Sequence, residues 1–160
     1  MHITQHTDYG LRLLTYLGAN SERPVTIAEI SERFDISRSH LMKVANQLVR
    51  DGFVEGIRGK GGGLRLARAP ADINIGAVVR RMERGMELVE CFGSSSNCLL
   101  TPNCRLKGVL AEALEAFLMV LDRVSLADLV RAPQKQLLHF VRQVSPAPDK
   151  ALVVSSTLSH

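Results

Sequence analysis

The fold is decided by the stretch from residue 37 to residue 66, which reads SRSHLMKVANQLVRDGFVEGIRGKGGGLRL. Apolar residues recur at helical spacing in its first half, and Ser37 is a suitable N-cap, so the sequence predicts a helix over 38–50. The Asp51-Gly52 pair that follows is typical of a helix that ends in a left-handed turn. The first half of the stretch is therefore predicted to be one helix with a defined start and a defined end.

The second half of the stretch has the pattern of a β-hairpin. Residues 53–57 and 64–68 alternate between apolar and polar side chains, as strands with one buried face do, and a glycine-rich loop over 58–63 joins them. We therefore expect two short antiparallel strands, with Arg58 and Lys60 in the loop between them.

Two further helices are predicted upstream of residue 37. Leucine recurs every three residues in the segment 8–18, which is an amphipathic pattern. Thr26 followed by Glu29 forms a capping box, which predicts a helix over 27–34. The order helix, helix, turn, helix and hairpin is that of a winged helix-turn-helix, so the predicted fold is mainly α with a small β-hairpin wing.

A long amphipathic helix is predicted downstream. Thr101-Pro102 has the form of an N-cap with proline at the first helical position. Apolar residues then follow in alternating steps of three and four up to residue 121, a repeat typical of a helix that packs along a partner. Shorter helices are predicted over 75–84 and 126–130. The apolar residues of the long helix are Leu106, Val109, Leu110, Ala113, Leu114, Phe117, Leu118 and Leu121.

The composition is that of a globular protein with a mild basic excess. Of the 160 residues, 46% are apolar and 22% are charged, which excludes disorder over the whole chain. Twenty Lys and Arg against sixteen Asp and Glu give a net charge of +4, which fits an anionic partner without requiring one. No apolar run is long enough to span a membrane, and the N-terminus lacks a secretory signal pattern. We therefore expect a cytoplasmic protein with no membrane partner.

The helix over 38–50 is the candidate DNA-reading element. In a helix-turn-helix, the start of the second helix lies in the major groove against the base edges. The residues that the apolar pattern leaves for solvent or a partner are Arg38, His40, Lys43, Asn46 and Gln47. The residues predicted to contact DNA are Thr26, Ser37, Arg38, Ser39, His40, Lys43, Arg58, Lys60, Gly61 and Gly62.

The glycine-rich loop is predicted to contact phosphates. Backbone N–H groups at glycines approach a phosphate without side chains in the way, and Arg58 and Lys60 supply charge. A nucleotide-binding P-loop is excluded, because its lysine precedes Ser or Thr at the start of a helix, whereas Lys60 precedes Gly61 and a strand.

Three cysteines, Cys91, Cys98 and Cys104, lie within 14 residues, and the chain has no others. Their spacing is too wide for the paired ligands of structural zinc sites and suits an iron–sulfur cluster. Cys104 is expected at the third position of the helix capped by Thr101, where free N–H groups favour a thiolate. Three thiolates leave one of four ligand positions to another part of the chain, a small molecule or another subunit. Three unrelated free thiols are the alternative.

Four stretches resemble the Rrf2 family of bacterial winged-helix regulators. They are ITQHTDYGLRLLTYL at 3–17, SRSHLMKVANQLVRDGFVEGIRGKGGGLRLA at 37–67, CFGSSSNCLLTPNCRLKGVL at 91–110 and SLADLV at 125–130. The resemblance implies a homodimer with one iron–sulfur cluster per chain at the three cysteines, and we favour [4Fe-4S] over [2Fe-2S]. A symmetric dimer implies a palindromic operator in double-stranded DNA.

Within the family, the resemblance is greatest to members that sense nitric oxide. In those members the fourth ligand is an aspartate at the start of the first helix, donated by the partner subunit, and the matching position here is Asp8. Members that regulate cluster assembly use a histidine three residues after the last cysteine, where this chain has Lys107. The expected function is a repressor that releases its operator when nitric oxide reacts with the cluster.

Two other functions stay open, an iron-responsive cluster-dependent regulator and a thiol-oxidation switch without a cluster. A cluster-bearing electron carrier or enzyme is disfavoured, because it leaves the recognition helix without a purpose and no catalytic constellation is visible. The chain is predicted to comprise a DNA-binding unit over 1–70, a cluster-binding loop with dimerisation helices over 71–144, and a disordered tail over 145–160.

Overall fold

The computed structural model describes residues 2–83, 85–86, 89, 92 and 104–131. Cys91, Cys98, Thr101 and the predicted tail lie outside the described residues. The elements, in chain order, are α1 (Gln5–Ala19), α2 (Ile27–Phe34), α3 (Arg38–Arg50), β1 (Val54–Ile57), β2 (Gly63–Leu66), a short 3-10 helix (Pro70–Asp72), α4 (Ile75–Met82), α5 (Arg105–Asp122) and α6 (Leu126–Leu129).

The predicted fold class, mainly helical with a β-hairpin wing, is confirmed. β1 and β2 pair in antiparallel register, with Val54 opposite Leu66. An isolated bridge adds Val25 beside β2, through hydrogen bonds of 2.9 and 2.7 Å between the backbones of Val25 and Leu64. This bridge ties the wing to the loop that precedes α2.

The helices begin and end close to the predicted residues, because local capping determines most of their limits. The Thr26 hydroxyl accepts from the Glu29 N–H at 3.2 Å, and the Ser37 hydroxyl accepts from the His40 N–H at 3.4 Å. Gly52 follows α3 with a φ of +72°. α1 starts three residues earlier than predicted, because Thr4 caps it.

One hydrophobic core unites elements from both halves of the described chain. Its fully buried side chains come from α1, the loop before α2, α2, α3, β1, the segment after the wing, α4 and α6. Burial of each large aliphatic side chain contributes about 2 kcal/mol to stability. The largest of them are Leu13, Leu14, Leu17, Ile30, Leu41, Leu48, Ile73 and Leu126. The predicted division of the chain at residues 70 and 144 stays a prediction.

Helix α5 differs from the other described α-helices because none of its residues is fully buried. Its last turn is held to α4 by the guanidinium of Arg80, which binds both carboxylate oxygens of Asp122 at 2.5 and 2.7 Å. This hydrogen-bonded pair raises the pKa of Arg80 and lowers that of Asp122. No helix in the described part of the chain is long and apolar enough to cross a bilayer.

The structure divides the predicted apolar seam of α5 into two sides. Residues 110, 114, 117, 118 and 121 are half-buried, whereas Leu106, Val109 and Val120 are each at least 60% exposed. With the exposed Ala113 and Ala116, these three form a stripe in steps of three and four. A single chain therefore leaves an apolar stripe of α5 uncovered.

Candidate nucleic-acid interface and cysteine site

The start of α3 presents an exposed polar surface. Ser37, Arg38 and Ser39 are all exposed, and Ser37 caps the helix. Arg38 lies 3.8 Å from Glu32 in an ion pair whose two side chains are 64% and 78% exposed. Such pairs contribute about 0–1 kcal/mol, so the Arg38 guanidinium remains free to exchange Glu32 for another acceptor.

A polar stripe continues along α3 through Ser39, Lys43, Asn46 and Arg50. These four residues are exposed and follow in steps of four, three and four, so they share one face of the helix. The stripe spans about 16 Å along the helix axis at 1.5 Å per residue. Among the described residues, Lys43 and Arg50 have no salt-bridge partner. Arg50 was absent from the predicted DNA contacts, although its distance of seven residues from Lys43 places it on the same face.

Two residues assigned to the outer face of α3 are packed against α1. The His40 ring is half-buried and meets the Tyr9 ring edge-on at 5.0 Å between centroids. Gln47 is only 8% exposed, so its predicted availability to solvent is wrong. Position 47 borders the apolar face of α3, and the start of α1 and the end of α4 close over it.

The loop between β1 and β2 (residues 58–62, the wing loop) requires glycine at two positions because of its turn geometry. Gly61 has a φ of +80°, and a Cβ at Gly62 would collide with the carbonyl oxygen of Ile57. The Gly62 N–H donates to the Gly59 carbonyl at 3.0 Å, so this amide is already engaged within the turn. Phosphate contact by this loop is therefore expected chiefly through the exposed side chains of its two cations, Arg58 and Lys60. Thr26, also a predicted DNA contact, is exposed and caps α2.

Lys60→Ala is expected to weaken binding to all duplex sequences by a similar factor. Because Lys60 is exposed in the wing, its loss removes a phosphate contact without altering base readout, and the slope of log K against log salt should decrease by about 0.9. Fluorescence anisotropy over a salt series measures that slope. Arg123→Ala, which removes an exposed charge after α5, is the control and should leave it unchanged. An unchanged slope in Lys60→Ala would exclude the wing from the interface.

Cys104 immediately precedes α5 instead of lying inside it. Its backbone is extended, with φ −79° and ψ 106°, so the helix begins at Arg105 and the predicted third helical position is wrong. The thiol is half-buried and makes no capping hydrogen bond. It still lies at the N-terminus of α5, the positive end of the helix dipole.

Asp8 lies in the first turn of α1 with its carboxylate 43% exposed. Arg12, one turn later, binds it through contacts of 2.8 and 3.1 Å. A thiol free of capping contacts fits the thiolate donors that hold an iron–sulfur cluster. The accessible Asp8 carboxylate offers a harder oxygen donor. Within the described residues, no three side chains of His, Cys, Asp or Glu are grouped so that they could hold a metal ion.

Comparisons with known proteins agree with this architecture. The family model of Rrf2, described as an iron-dependent transcriptional regulator, matches residues 3–132. The chain is 51% identical over 142 residues to the HTH-type transcriptional regulator NsrR of Geobacillus kaustophilus, covering 86% of this chain and 97% of that one. It is 51% identical over 135 residues to NsrR of Bacillus subtilis, covering 82% and 91%. The structure of T. potens IscR matches with a TM-score of 0.65 and 26% identity, over 91% of this chain and 93% of that one.

Proposed function

Because the chain belongs to the Rrf2 family of transcriptional regulators, which are not enzymes, we propose that it is a cytoplasmic repressor that senses nitric oxide. Regulators of this family bind DNA and are typically dimeric. The observation that carries the proposal is Asp8, an exposed carboxylate in the first turn of α1, at the position of the fourth cluster ligand in the nitric-oxide-sensing members that the sequence resembles. The sequence identity of 51% to each of two regulators named NsrR supports the proposal.

The DNA contact is made by the polar stripe of α3 and by the wing. Arg38 and Ser39 at the start of α3 have donors and acceptors suited to base edges, whereas Lys43 and Lys60 suit phosphates. A dimer joined through α5 presents two such surfaces related by a twofold axis. It therefore binds two half-sites of a palindromic operator.

The signal is received at Cys91, Cys98 and Cys104 of one chain and at Asp8 from its partner. An iron–sulfur cluster, when bound there, supplies iron that reacts with nitric oxide. A carboxylate is a harder ligand than thiolate and binds cluster iron less strongly, so Asp8 is the most readily lost of the four ligands. We favour one [4Fe-4S] cluster per chain.

Asp8 has a second binding partner within its own chain. The Arg12 guanidinium lies one helical turn away and holds the same carboxylate at 2.8 Å. Because both side chains are about half exposed, this i, i+4 ion pair contributes about 0.3–0.5 kcal/mol, so Arg12 would compete only weakly with the partner's cluster for the Asp8 carboxylate. Once Asp8 no longer bound the cluster, it would pair with Arg12 alone, the DNA-binding unit would no longer be tethered to the partner chain, and operator affinity would fall.

An iron-responsive regulator is the second candidate, and it is favoured by the family description of an iron-dependent regulator. It would use the same cysteines and the same α3 surface. Its operator affinity would follow the iron content of the protein and would not respond separately to nitric oxide.

The experiment that separates these functions is an anaerobic DNA-binding titration. Cluster-loaded protein is bound to a duplex selected from a random pool, and nitric oxide is added in steps or an iron chelator is added alone. Release at a few equivalents of nitric oxide per chain is the expected result. Release by the chelator together with no release by nitric oxide would establish the iron-responsive function, and full binding by protein that takes up no iron would establish the thiol switch.

A further inference from the structure

Gln47 is a buried polar residue that joins three helices. It lies on α3 with 8% of its surface exposed. Its Nε2 donates to the backbone carbonyl of Arg81 at the end of α4, at 2.9 Å. Its Oε1 lies 2.8 Å from Nε2 of His6 in the first turn of α1. Both ends of the amide are therefore engaged, each by a different helix.

The chemistry of the partners determines the direction of both hydrogen bonds. The Arg81 carbonyl can only accept, so the amide nitrogen of Gln47 must face it. The amide oxygen then faces His6, and Nε2 of His6 must carry a proton and donate. A side chain that lacks either the donor or the acceptor cannot replace Gln47 in this junction.

The end of α4 also holds the start of α1 by two other contacts. The Glu83 carboxylate accepts hydrogen bonds from the backbone N–H and the hydroxyl of Thr4 at 2.7 and 2.9 Å. Burial would raise the pKa of Glu83, but hydrogen bonds from Thr7 and Thr4 outweigh it and lower the pKa below its usual value. Met82 lies against Gly10, where any Cβ would collide with its thioether. Residues 81–83 thus contact α1 and α3 together.

This junction is close in sequence to the cysteine segment and includes a residue of α3, the helix that carries the DNA-reading surface. Cys91 follows Glu83 by only eight residues. On the other side, Gln47 lines a groove of about 370 Å³ together with Lys43 and Arg50, one turn before and one turn after it on α3. A shift at Gln47 therefore moves the two exposed cations of the polar stripe.

We propose that Gln47 is a positioning residue that transmits the placement of the end of α4, and so of the segment that leads to the cysteines, to the orientation of α3 on DNA. The inference rests on the proposed DNA contact by α3. Gln47 itself does not touch DNA; it holds α3 at the angle at which Arg38 and Ser39 meet the bases.

Three substitutions separate the two hydrogen bonds. Gln47→Leu removes both of them, and Gln47→Glu retains an acceptor for His6 but has no donor for the Arg81 carbonyl. His6→Gln retains a donor for Gln47 and leaves both bonds possible. Gln5→Leu makes the same change at an exposed glutamine beside His6 and serves as the matched control.

The first measurement is histidine nitrogen NMR of the iron-free protein. His6 should be protonated at Nε2 in the wild type and in Gln47→Glu, and this preference should be lost in Gln47→Leu. Absence of the Nε2 proton in the wild type would show that His6 does not donate to Gln47, and the proposal would be wrong. Nitric oxide is not used, so this result does not depend on the sensing function.

The second measurement is the ratio of affinities of the iron-loaded protein for a selected duplex and for a random duplex. In both Gln47 variants this ratio should be about tenfold lower than in the wild type, because base contacts are misplaced while phosphate contacts persist. His6→Gln and Gln5→Leu should retain it. An unchanged ratio in Gln47→Glu, or an equal loss of affinity for both duplexes, would overturn the proposal even if the variant melts at a lower temperature.

Discussion

Val109→Glu is expected to convert the protein from a dimer into a monomer and to lower its affinity for a two-half-site operator by about a hundredfold or more. Val109 is the second of the five residues in the exposed apolar stripe of α5 and is 60% exposed in the single chain. A carboxylate buried there against a second copy, without a partner, costs about 3–5 kcal/mol. Since the side chain is exposed in the monomer, the substitution leaves the fold of each chain intact.

The operator affinity falls when the dimer is lost, because the second half-site is then bound by an independent molecule. In a dimer, binding of the first unit holds the second beside its half-site, and the resulting gain in overall affinity is about 10² to 10⁴. Sedimentation velocity measures the dimer, and anisotropy with whole and half operators measures the affinity. Binding to the half operator should remain unchanged.

Ala111→Glu is the matched control for this prediction. It places the same carboxylate on the same helix, two residues away and on the opposite face from the stripe. It should remain a dimer with full affinity for the operator. A dimeric Val109→Glu, or a monomeric Ala111→Glu, would show that the stripe is not the dimer interface.

Local sequence signals predict most of the fold because they act within a few residues. The caps at Thr26 and Ser37 and the left-handed Gly52 depend on neighbours three or four positions away, so α2 and α3 begin and end as predicted. The start of α1 was missed because the helix was placed by its leucine spacing, whereas the Thr4 hydroxyl caps it by accepting from the Thr7 N–H at 3.4 Å. Thr4 is also bound by Glu83, which is 79 residues further along the chain. Contacts of that separation leave no local pattern.

In the candidate site too, features set by neighbouring residues were predicted, whereas features set by distant parts of the chain were not. The polar residues at the start of α3 are recognisable from the helix-turn-helix order alone. Gln47 was wrongly predicted to be exposed, because its burial depends on the end of α4. The apolar periodicity within α3 carries no information about that contact. Cys104 was assigned to a helix because Thr101-Pro102 is a strong local start signal, whereas the structure begins α5 at Arg105. Spacing therefore predicts Cys104 as a candidate ligand but does not predict its backbone conformation.

Cys104→Ala is expected to abolish cluster retention and tight operator binding together. A thiolate is the ligand type that cluster iron prefers, and alanine offers no replacement. Operator affinity should fall to that for random DNA, a loss of about a thousandfold. Because the Cys104 side chain makes no capping hydrogen bond to α5, the substitution should not change the helical content. Iron and sulfide per chain, the visible absorption of the cluster and anisotropy with both duplexes measure the result.

Asp8→Ala and Arg105→Ala complete this prediction. As the proposed fourth ligand, Asp8 would be harder than a thiolate and would bind iron less strongly, so its loss should leave iron on the three thiolates. The difference in operator affinity between iron-loaded and iron-free protein should then decrease several-fold. Arg105→Ala alters the exposed neighbour of Cys104 and should change neither quantity. If Cys104→Ala retained both iron and operator affinity, the cysteine site would have no part in DNA binding. If Asp8→Ala lost iron as completely as Cys104→Ala, the carboxylate would be as essential for holding the iron as a thiolate, and its assignment as the exchangeable ligand would be wrong.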